Sequence, residues 1–467
     1  MAPMAARRYF GTDGIRGVAG ADPMTATFAL ALGAATADHL RERSGGRPTV
    51  VVGRDTRRSG PMLVAAMTAG LTSRGADVVD LGVMPTPGVS HMVRALGAQA
   101  GVVVSASHNP FDDNGLKLFG PDGAKLSDEE EAELEQRLEA GPDTTPRLGA
   151  DLGSARRYRS EDGHYVRFLL QQAPYLDGLR VGLDCAHGAA YALAPAVFHK
   201  IGARLDVIHA KPDGTNINVR CGSTHPEVVS ERVVAAGLDA GVTFDGDADR
   251  ALLVDRRGRL VSGDHILAIC AVARGERAVV ATHMTNLGVE RYLAERDVTL
   301  HRVAVGDRYV LEGLRAQGLT LGGEQSGHVL FLDKAPTGDG ILTALQVLAA
   351  CRAADRPLEA WLDEIPVYPQ RLTGVRVPPA AKDGLVDDPE VAAAVAEASA
   401  DLGDDGRVLV RASGTEPLLR VMVEAATQEA VDRWTERLAD TVRAAAERAA
   451  AADGWVAADA PAPSVAS

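Results

Sequence analysis

Three aspartates stand close together in the run V-T-F-D-G-D-A-D-R. Asp245, Asp247 and Asp249 follow an apolar stretch with strand character and alternate with small residues. On an extended backbone this alternation would place the carboxylates on one side. Close carboxylates repel one another unless a cation lies among them, and oxygen ligands favour Mg²⁺, Mn²⁺ or Ca²⁺. An EF-hand loop is excluded, because Arg250 and Arg256 stand where that loop requires Gly and Glu.

A second candidate site follows another apolar run, in V-S-A-S-H-N-P-F-D-D-N-G-L-K, which ends at Lys117. Ser105, Ser107 and His108 crowd into four positions, and Pro110 prevents a helix from continuing through them. Since α/β proteins place chemistry at strand ends, this pattern indicates a nucleophile. A turn that only reverses the chain is the alternative interpretation.

Three glycine-containing loops offer further polar groups. G-G-E-Q-S-G-H, which ends at His328, combines a carboxylate, an amide, a hydroxyl and an imidazole, a set that suits a sugar. R-A-S-G-T-E-P-L-L-R, from Arg411 to Arg420, places hydroxyls and backbone donors between two arginines, as a phosphate dianion requires. Y-F-G-T-D-G-I-R-G could present Arg16 to an anion. Each loop could instead be a tight turn, and none matches a P-loop or a hydrolase nucleophile elbow.

Composition narrows the class of protein. The chain has 467 residues, of which 46% are hydrophobic, so it can bury several cores. A net charge of -14 argues against a nucleic-acid or membrane-surface partner. The four cysteines are far apart in sequence, which argues against a disulfide framework and against a thiolate zinc site. We find no signal peptide and no apolar run of about 18 residues, so we expect a cytoplasmic enzyme.

A strand–helix–strand pattern occurs three times, about 100 residues apart, and predicts three related α/β domains. Residues 406–424 and 428–449 predict two short strands and a long helix, which form a small C-terminal α+β domain. Residues 140–160 have the composition of a linker and follow a helix that Ser127 would cap. We expect these domains to surround a central cleft. The predicted boundaries are 1–158, 159–263, 264–371 and 372–450, with a disordered tail over 451–467.

The four loops and their order resemble those of the α-D-phosphohexomutase superfamily, over about residues 8–450. S-A-S-H-N-P is similar to its phosphoserine loop, D-G-D-A-D-R to its metal loop, G-E-Q-S-G-H to its sugar loop and R-A-S-G-T-E-P to its phosphate loop. Ala412 stands where Pro is usual in the family, which leaves the donors of that loop unchanged. Gln325 and the runs D-G-T-N-I-N and C-G-S-T-H resemble the branch that acts on an amino sugar.

The resemblance implies roles for individual residues. Ser107 would be the phosphoserine, and one of its oxygens would join Asp245, Asp247 and Asp249 around Mg²⁺. The sugar would contact Glu324, Ser326 and His328. The residues implied to hold the non-transferred phosphate are Arg411, Ser413, Gly414, Thr415 and Arg420. The candidates for proton transfer are Lys117, Arg16, Arg250 and His328, and a lysine or arginine in this role would need a depressed pKa.

The resemblance also implies an activity. Glucosamine 6-phosphate and glucosamine 1-phosphate would interconvert through a bisphosphate, with glucosamine or glucose 1,6-bisphosphate as activator. The product would feed the synthesis of UDP-N-acetylglucosamine and cell-wall precursors. The partners expected are a phosphosugar and a second copy of the chain in a homodimer. The alternatives are a mutase for glucose or mannose phosphates and a non-catalytic sugar-phosphate sensor.

Overall fold

The computed structural model describes residues 8–453, apart from residues 12, 142–144, 146, 159–162, 173–174 and 414–416. The chain forms two compact units. The first contains residues 1–285 and 293–364, and the second contains residues 286–292 and 365–467. Three of the four sheets belong to the first unit, and the fourth belongs to the second unit.

Six strands form the first sheet: β1 Ile15–Val18, β2 Thr49–Arg54, β3 Asp77–Val83, β4 Ala100–Val104, β5 Asp113–Phe119 and β6 Ala155–Arg157. Its helices are α1 Ala26–Ser44, α2 Gly60–Ser73, α3 Thr86–Leu96 and α4 Asp128–Ala140. The strand order is β1-β5-β4-β2-β3-β6, in which β2 is parallel to β3 and β4, and β5 is antiparallel to β4. The strands β2 and β4 therefore end at the same edge, where the Ser107 loop begins.

Two details of this region differ from the sequence prediction, and one agrees with it. Arg16 lies on β1, which pairs with β5, and not in a free loop. The segment 140–160 is not only a linker, because its β6 adds an edge strand beside β3. The predicted cap is confirmed. The Ser127 side chain accepts a hydrogen bond from the Glu130 amide, and the Glu130 side chain accepts one from the Ser127 amide.

The second sheet contains β7 Arg180–Asp184, β8 Arg204–Ile208, β9 Ala240–Phe244, β10 Ala251–Asp255 and β11 Leu260–Val261. The helices that accompany it in the chain are α5 His164–Leu170, α6 Leu193–Lys200, α7 Pro226–Ala236 and α8 Gly263–Arg274. In the order β11-β10-β9-β7-β8, β7 is parallel to both β8 and β9. The strands β9 and β10 form a hairpin, and its turn carries the three aspartates.

The third sheet contains β12 Ala278–Thr282, β13 Thr299–Val303, β14 Leu321–Gly323 and β15 Val329–Phe331, in the order β13-β12-β14-β15. The helices of this part of the chain are α9 Leu287–Ala294, α10 Asp307–Gln317, α11 Gly340–Ala353 and α12 Leu358–Leu362. The strands β14 and β15 are antiparallel, and the predicted sugar loop joins them.

The second unit contains an antiparallel sheet of β16 Gln370–Arg376, β17 Gly406–Ala412 and β18 Leu418–Ala425, in the order β16-β18-β17. The helices α13 Pro389–Leu402 and α14 Gln428–Asp453 pack on it, with Leu438 and Val442 of α14 in the core. The predicted strands and long helix are confirmed. The helix α14 runs three residues into the predicted tail, and residues 454–467 lie outside the described part of the chain.

The predicted fold class is confirmed: three α/β sheets with helices precede a small α+β unit. The exact domain boundaries stay a prediction. Among the described residues, every helix is too short or too polar to cross a membrane.

Candidate active site

Ser107 lies in the loop after β4, buried and with a left-handed backbone at φ 52°. Its Oγ donates a hydrogen bond to Oδ2 of Asp245 at 2.5 Å and lies 3.3 Å from Nδ1 of His108. The first and second sheets therefore meet at the hydroxyl of Ser107. Gly246 is required at this junction, because a Cβ atom there would lie 2.5 Å from the Ser107 carbonyl oxygen.

Arg57 is fully buried and donates hydrogen bonds to the backbone of the loop that carries Ser107. It donates to the carbonyl oxygens of Ser107 and Asn109, each at 2.8 Å, and to those of Asp113 at 3.0 Å and Pro110. Its Nε donates to the buried carboxylate of Asp55 at 2.8 Å. Four of these five guanidinium contacts thus hold carbonyl oxygens of the segment from Ser107 to Asp113, in which Ser107 has the strained left-handed backbone.

Two more residues complete this support. Asn218, in the loop after β8, donates to the carbonyl oxygens of Ser107 at 2.9 Å and Asn109 at 3.0 Å. Ser105 accepts the amide of Ser107 at 3.0 Å and donates to Asp55 at 2.6 Å. The Ser107 loop is therefore fixed through both its backbone and its neighbouring hydroxyl.

The three aspartates are buried, and a carboxylate oxygen from each lies within 4.8 Å of the others. They lie in a turn in which Ala248 has φ 56°, so the expectation of an extended, alternating backbone is wrong. Among the described residues, Oδ1 of Asp247 and Oδ1 of Asp249 have no hydrogen-bond partner. Burial, and then the other two carboxylates, raise the pKa of Asp245. Buried oxygens that lack donors fit a divalent cation.

Lys117 on β5 is buried beside this cluster. Its Nζ lies 2.9 Å from Asp247, 3.0 Å from Asp13 and 3.6 Å from Asp249. Burial alone lowers the pKa of Lys117, but these three carboxylates raise it above the usual lysine value. The depressed pKa expected of a lysine in proton transfer is therefore not found.

The two arginine candidates lie around the same cluster. Arg16 donates to Asn109 at 3.3 Å and pairs with Asp13. The backbone amide of Arg250 donates to Asp245 at 3.2 Å. Burial lowers the pKa of Arg250, but Asp249 and Asp245 raise it above the usual arginine value, again contrary to the expected depression. Both arginines thus lie beside carboxylates at this cluster.

The predicted sugar loop contacts the aspartate turn. Gly327 accepts the amide of Ala251 at 3.2 Å, and buried His328 has Nδ1 3.8 Å from Asp249, beyond hydrogen-bond range. Burial lowers the pKa of His328, but Asp249 and Asp307 raise it by more, so the pKa lies above the usual histidine value. The Glu324 carboxylate accepts the amide of Gly306 at 3.0 Å and is partly exposed, and Ser326 is exposed. Glu324 and Ser326 are therefore accessible to a ligand.

The predicted phosphate loop belongs to the second unit. Arg411 and Arg420 are directly paired across β17 and β18, and Ser413 is buried after β17. Burial, and then Arg420, lower the pKa of Arg411, whose Nε has no hydrogen-bond partner in the described residues. Gly414 and Thr415 lie outside the described residues. Two adjacent guanidinium groups are the feature that an anionic ligand would neutralise.

Sequence reasoning did not single out several residues of this site. Thr86 begins α3 and donates to Oδ2 of Asp247 at 2.6 Å. Asp13 contacts Lys117, Lys125 and Arg16. A signal existed for Asp55 and Arg57, because charged residues in G-R-D-T-R directly follow a buried strand. Asn218 ends the run D-G-T-N-I-N, which sequence reasoning singled out without a role for this residue, and Thr86 carried no signal; each acts on a residue more than 100 positions away.

A buried serine beside an acidic triad at the strand ends of α/β sheets is an arrangement that suits phosphoryl transfer with a divalent cation. Four family models match in order: phosphoglucomutase/phosphomannomutase α/β/α domain I over residues 7–144, domain II over 164–258, domain III over 262–368, and the C-terminal domain over 372–441. The chain belongs to this family, the α-D-phosphohexomutase superfamily, which confirms the resemblance.

Individual relatives narrow the group. A Deinococcus radiodurans protein named phosphoglucosamine mutase is 53% identical over 90% of this chain and 94% of its own length. A Thermus thermophilus protein of the same name is 51% identical over 95% and 100%.

Solved structures agree on the fold. A phosphoglucomutase/phosphomannomutase family protein from Burkholderia thailandensis is 26% identical, covers 95% of this chain and 98% of its own, and has a TM-score of 0.77. An Aspergillus fumigatus N-acetylphosphoglucosamine mutase, in complex with GlcNAc-6P and magnesium, is 19% identical over 94% and 96%, with a TM-score of 0.67. Because the relatives that share about half of its residues are named phosphoglucosamine mutase, the chain is an enzyme of the isomerase class, an intramolecular phosphotransferase.

Proposed function

We propose that this chain acts as a phosphoglucosamine mutase, which interconverts glucosamine 6-phosphate and glucosamine 1-phosphate through a phosphoserine at Ser107. The observation that carries the proposal is the position of Ser107 Oγ, 2.5 Å from one carboxylate of the buried aspartate triad. A phosphoryl group on this oxygen would stand beside a site for a divalent cation and between the positive charges of Lys117, Arg16 and Arg250.

Asp245, Asp247 and Asp249 fit Mg²⁺, because their buried oxygens include two without donors and three carboxylates leave room for a phosphate oxygen. When bound, the cation neutralises charge on the transferred phosphoryl group. The phosphoserine would supply a further oxygen ligand. The magnesium held by the Aspergillus relative agrees with this choice of ion.

The reaction is a balanced exchange of P–O bonds. The bond between phosphorus and Ser107 Oγ breaks as phosphorus bonds to O1 of glucosamine 6-phosphate; the O1 proton passes to a basic group, and Ser107 Oγ takes up a proton. The 6-phosphoryl group of the resulting 1,6-bisphosphate is then transferred to Ser107 Oγ, which gives up its proton, and O6 gains a proton, which leaves glucosamine 1-phosphate. Glucosamine or glucose 1,6-bisphosphate would restore the phosphate on an unphosphorylated serine and so act as activator.

Residues of the chain position and stabilise this exchange. Arg57 and Asn218 hold the serine backbone in place, so that the oxygen and phosphorus can align. Lys117 remains a cation among carboxylates and offsets the charge of the phosphoryl group. Lys117, Arg16, Arg250 and His328 stay the candidates for proton transfer, and the raised pKa values of Lys117 and Arg250 favour donation of a proton over its acceptance.

The sugar loop and the phosphate loop supply substrate recognition. The carboxylate of Glu324 can accept hydrogen bonds from the sugar amine or hydroxyls, and Ser326 and His328 add polar groups. The residues proposed for the non-transferred phosphate are Arg411, Ser413, Gly414, Thr415 and Arg420. The product would supply the synthesis of UDP-N-acetylglucosamine. A cytoplasmic location and a homodimer remain predictions.

The first experiment replaces the nucleophile. Ser107→Ala, assayed with 1,6-bisphosphate present, should lose about 1000-fold or more in kcat. Ser105→Ala is the matched control: it removes a neighbouring buried hydroxyl but keeps Oγ of Ser107, so a smaller loss is expected. Intact mass should show a fraction of the wild-type protein heavier by one phosphate, removable by phosphatase and absent from Ser107→Ala. Full turnover by Ser107→Ala would refute the proposal.

The second experiment tests the substrate. We expect kcat/KM for glucosamine 1-phosphate to exceed that for glucose 1-phosphate and mannose 1-phosphate by about 10-fold or more. The reason is that a sugar with a hydroxyl in place of the amine cannot make the charged hydrogen bond that the site makes with the amine. Equal or inverted values would identify a glucose or mannose phosphate mutase instead. Glu324→Gln should narrow the difference between the sugars.

A further inference from the structure

A second group of potential metal ligands lies on the second sheet, away from the aspartate triad in sequence. Asp184 ends β7, His209 follows β8, and Cys221 stands in the loop before α7. One carboxylate oxygen, one imidazole nitrogen and the thiol sulfur lie within 4.8 Å of one another. Asp184 and Cys221 are fully buried, and the His209 side chain is 27% exposed.

The fold brings these three residues together through the ends of parallel strands. Asp184 pairs in register with Ile208, so Asp184 and His209 emerge at the same edge of the sheet. The amide of Gly222 donates to Oδ2 of Asp184 at 3.0 Å, which draws Cys221 to this edge. The amide of Ala186 donates to Oδ1 at 2.9 Å. The orientation of the carboxylate is therefore fixed by backbone donors, as it commonly is for metal ligands.

The imidazole faces the carboxylate. Nδ1 of His209 is buried and lies 3.1 Å from Oδ1 of Asp184, at an angle too poor for a regular hydrogen bond. The two groups form an ion pair when the imidazole is protonated. A cation bound by the imidazole, the carboxylate and the thiol would take the place of that proton. The exposed part of His209 provides a path from solvent.

We propose that Asp184, His209 and Cys221 form a second metal site, for a thiophilic divalent cation such as Zn²⁺, with its fourth position open to water. The separation of the cysteines argued against a thiolate zinc site, but that argument concerns several thiolates, and this site needs only one. One oxygen, one nitrogen and one sulfur ligand match the zinc preference for four-coordinate sites with an open position. The sulfur ligand disfavours Mg²⁺, which suits the all-oxygen triad instead. The two sites would therefore select different cations.

The second site is connected to the Ser107 loop. Asn218 precedes Cys221 by three residues and donates to the carbonyl oxygens of Ser107 and Asn109. Ser223 follows Cys221 by two residues, and its amide donates to the carbonyl oxygen of Phe244 at 2.9 Å. A cation on Cys221 would therefore restrain the loop that lies between the serine and the aspartate turn, and we expect it to raise the thermal midpoint.

The test uses Co²⁺ as a spectroscopic probe on the full chain, in the presence of excess Mg²⁺. The wild-type protein should show a thiolate-to-cobalt charge-transfer band that saturates at one equivalent and disappears when Zn²⁺ displaces Co²⁺. Cys221→Ser should lack the band. Cys351→Ser, which replaces a partly exposed cysteine outside the cluster, should keep it.

Two further variants separate this site from the triad and from a folding defect. His209→Gln keeps the thiol and should weaken Co²⁺ binding about 10-fold or more, which tests the site even if Cys221→Ser folds poorly. Asp245→Asn should retain the band, because the triad is not part of this site. Absence of the band in a folded wild-type protein, or its persistence in Cys221→Ser, would overturn the proposal. Loss of Zn²⁺ binding only in Asp245→Asn would assign the ion to the triad and would also overturn it.

Discussion

The second sheet carries two clusters of potential ligands at the ends of its parallel strands, and they differ in chemistry and in origin. The triad of Asp245, Asp247 and Asp249 offers only oxygen and comes from one turn after β9. Asp184, His209 and Cys221 offer oxygen, nitrogen and sulfur and come from three separate segments. Sheet topology thus supplies the location in both cases, whereas the residue types decide which cation suits it.

The largest expected effect comes from the triad. Asp245→Asn should lower kcat by about 1000-fold or more, since it replaces a charged carboxylate ligand, which also accepts from Ser107 Oγ, with a neutral amide. Steady-state kinetics at saturating Mg²⁺ measure the loss. Asp206→Asn, a partly exposed aspartate of β8, is the control and should retain activity. If Asp245→Asn kept more than about a tenth of the activity, the triad would not be the catalytic cluster.

Next in size is the arginine beneath the serine loop. Arg57→Lys should lower kcat about 10- to 100-fold and lower the thermal midpoint, because three ammonium donors cannot replace five guanidinium contacts and Asp55 loses its buried partner. Kinetics and thermal denaturation should be compared with Arg58→Lys, an exposed neighbour. A lower midpoint with unchanged kcat would mean that Arg57 supports only stability.

A smaller effect is expected where the loop that carries Cys221 contacts Ser107. Asn218→Ala removes two hydrogen bonds and should cost about 1–3 kcal/mol of stability and a several-fold loss of kcat. Asn216→Ala in the same loop also loses hydrogen bonds, but to neighbouring residues, and should affect kcat less. Equal effects on kcat would show that Asn218 has no special link to the serine.

The smallest effect concerns a single buried carboxylate outside both clusters. Burial raises the pKa of Asp339 to about 7, although it caps α11 and accepts the hydroxyl of Tyr165. Because its folded-state pKa exceeds the unfolded value, the folded protein binds a proton more tightly. The resulting stability is fully present below the unfolded pKa and is lost as pH rises through about 7.

Asp339→Asn cannot ionise. As pH rises from about 5 to about 8, wild type should lose about 2–3 kcal/mol of unfolding free energy that the variant does not lose. The thermal midpoint of Asp339→Asn should therefore rise relative to that of wild type over this range. Denaturation of both proteins at several pH values measures this difference. If the difference in thermal midpoint between the two proteins did not change with pH, Asp339 would be ionised in the folded protein throughout this range. Burial of this single carboxylate could then not be compared with burial of the three aspartates of the triad.

Much of the fold and part of the candidate site could be predicted from local patterns. The aspartates of the triad are two positions apart, and Ser107 closely follows an apolar strand, so residue types alone indicated their chemistry. The capping residue Ser127 and the strands around residues 406–425 were likewise local signals. Arg16 was misplaced because a short glycine-rich run does not reveal pairing with a distant strand.

The sequence by itself determined which residues can bind metal, phosphate and sugar, because those ligand sets are contiguous and backbone geometry keeps neighbours close. Only the tertiary structure decided which groups act together across distance. It brought Arg57 and Asn218 into hydrogen-bond contact with the Ser107 backbone and surrounded Lys117 with carboxylates that raise its pKa. It also brought Asp184, His209 and Cys221 together. The physical reason is that these contacts depend on the register and edges of the sheets, which local spacing does not encode.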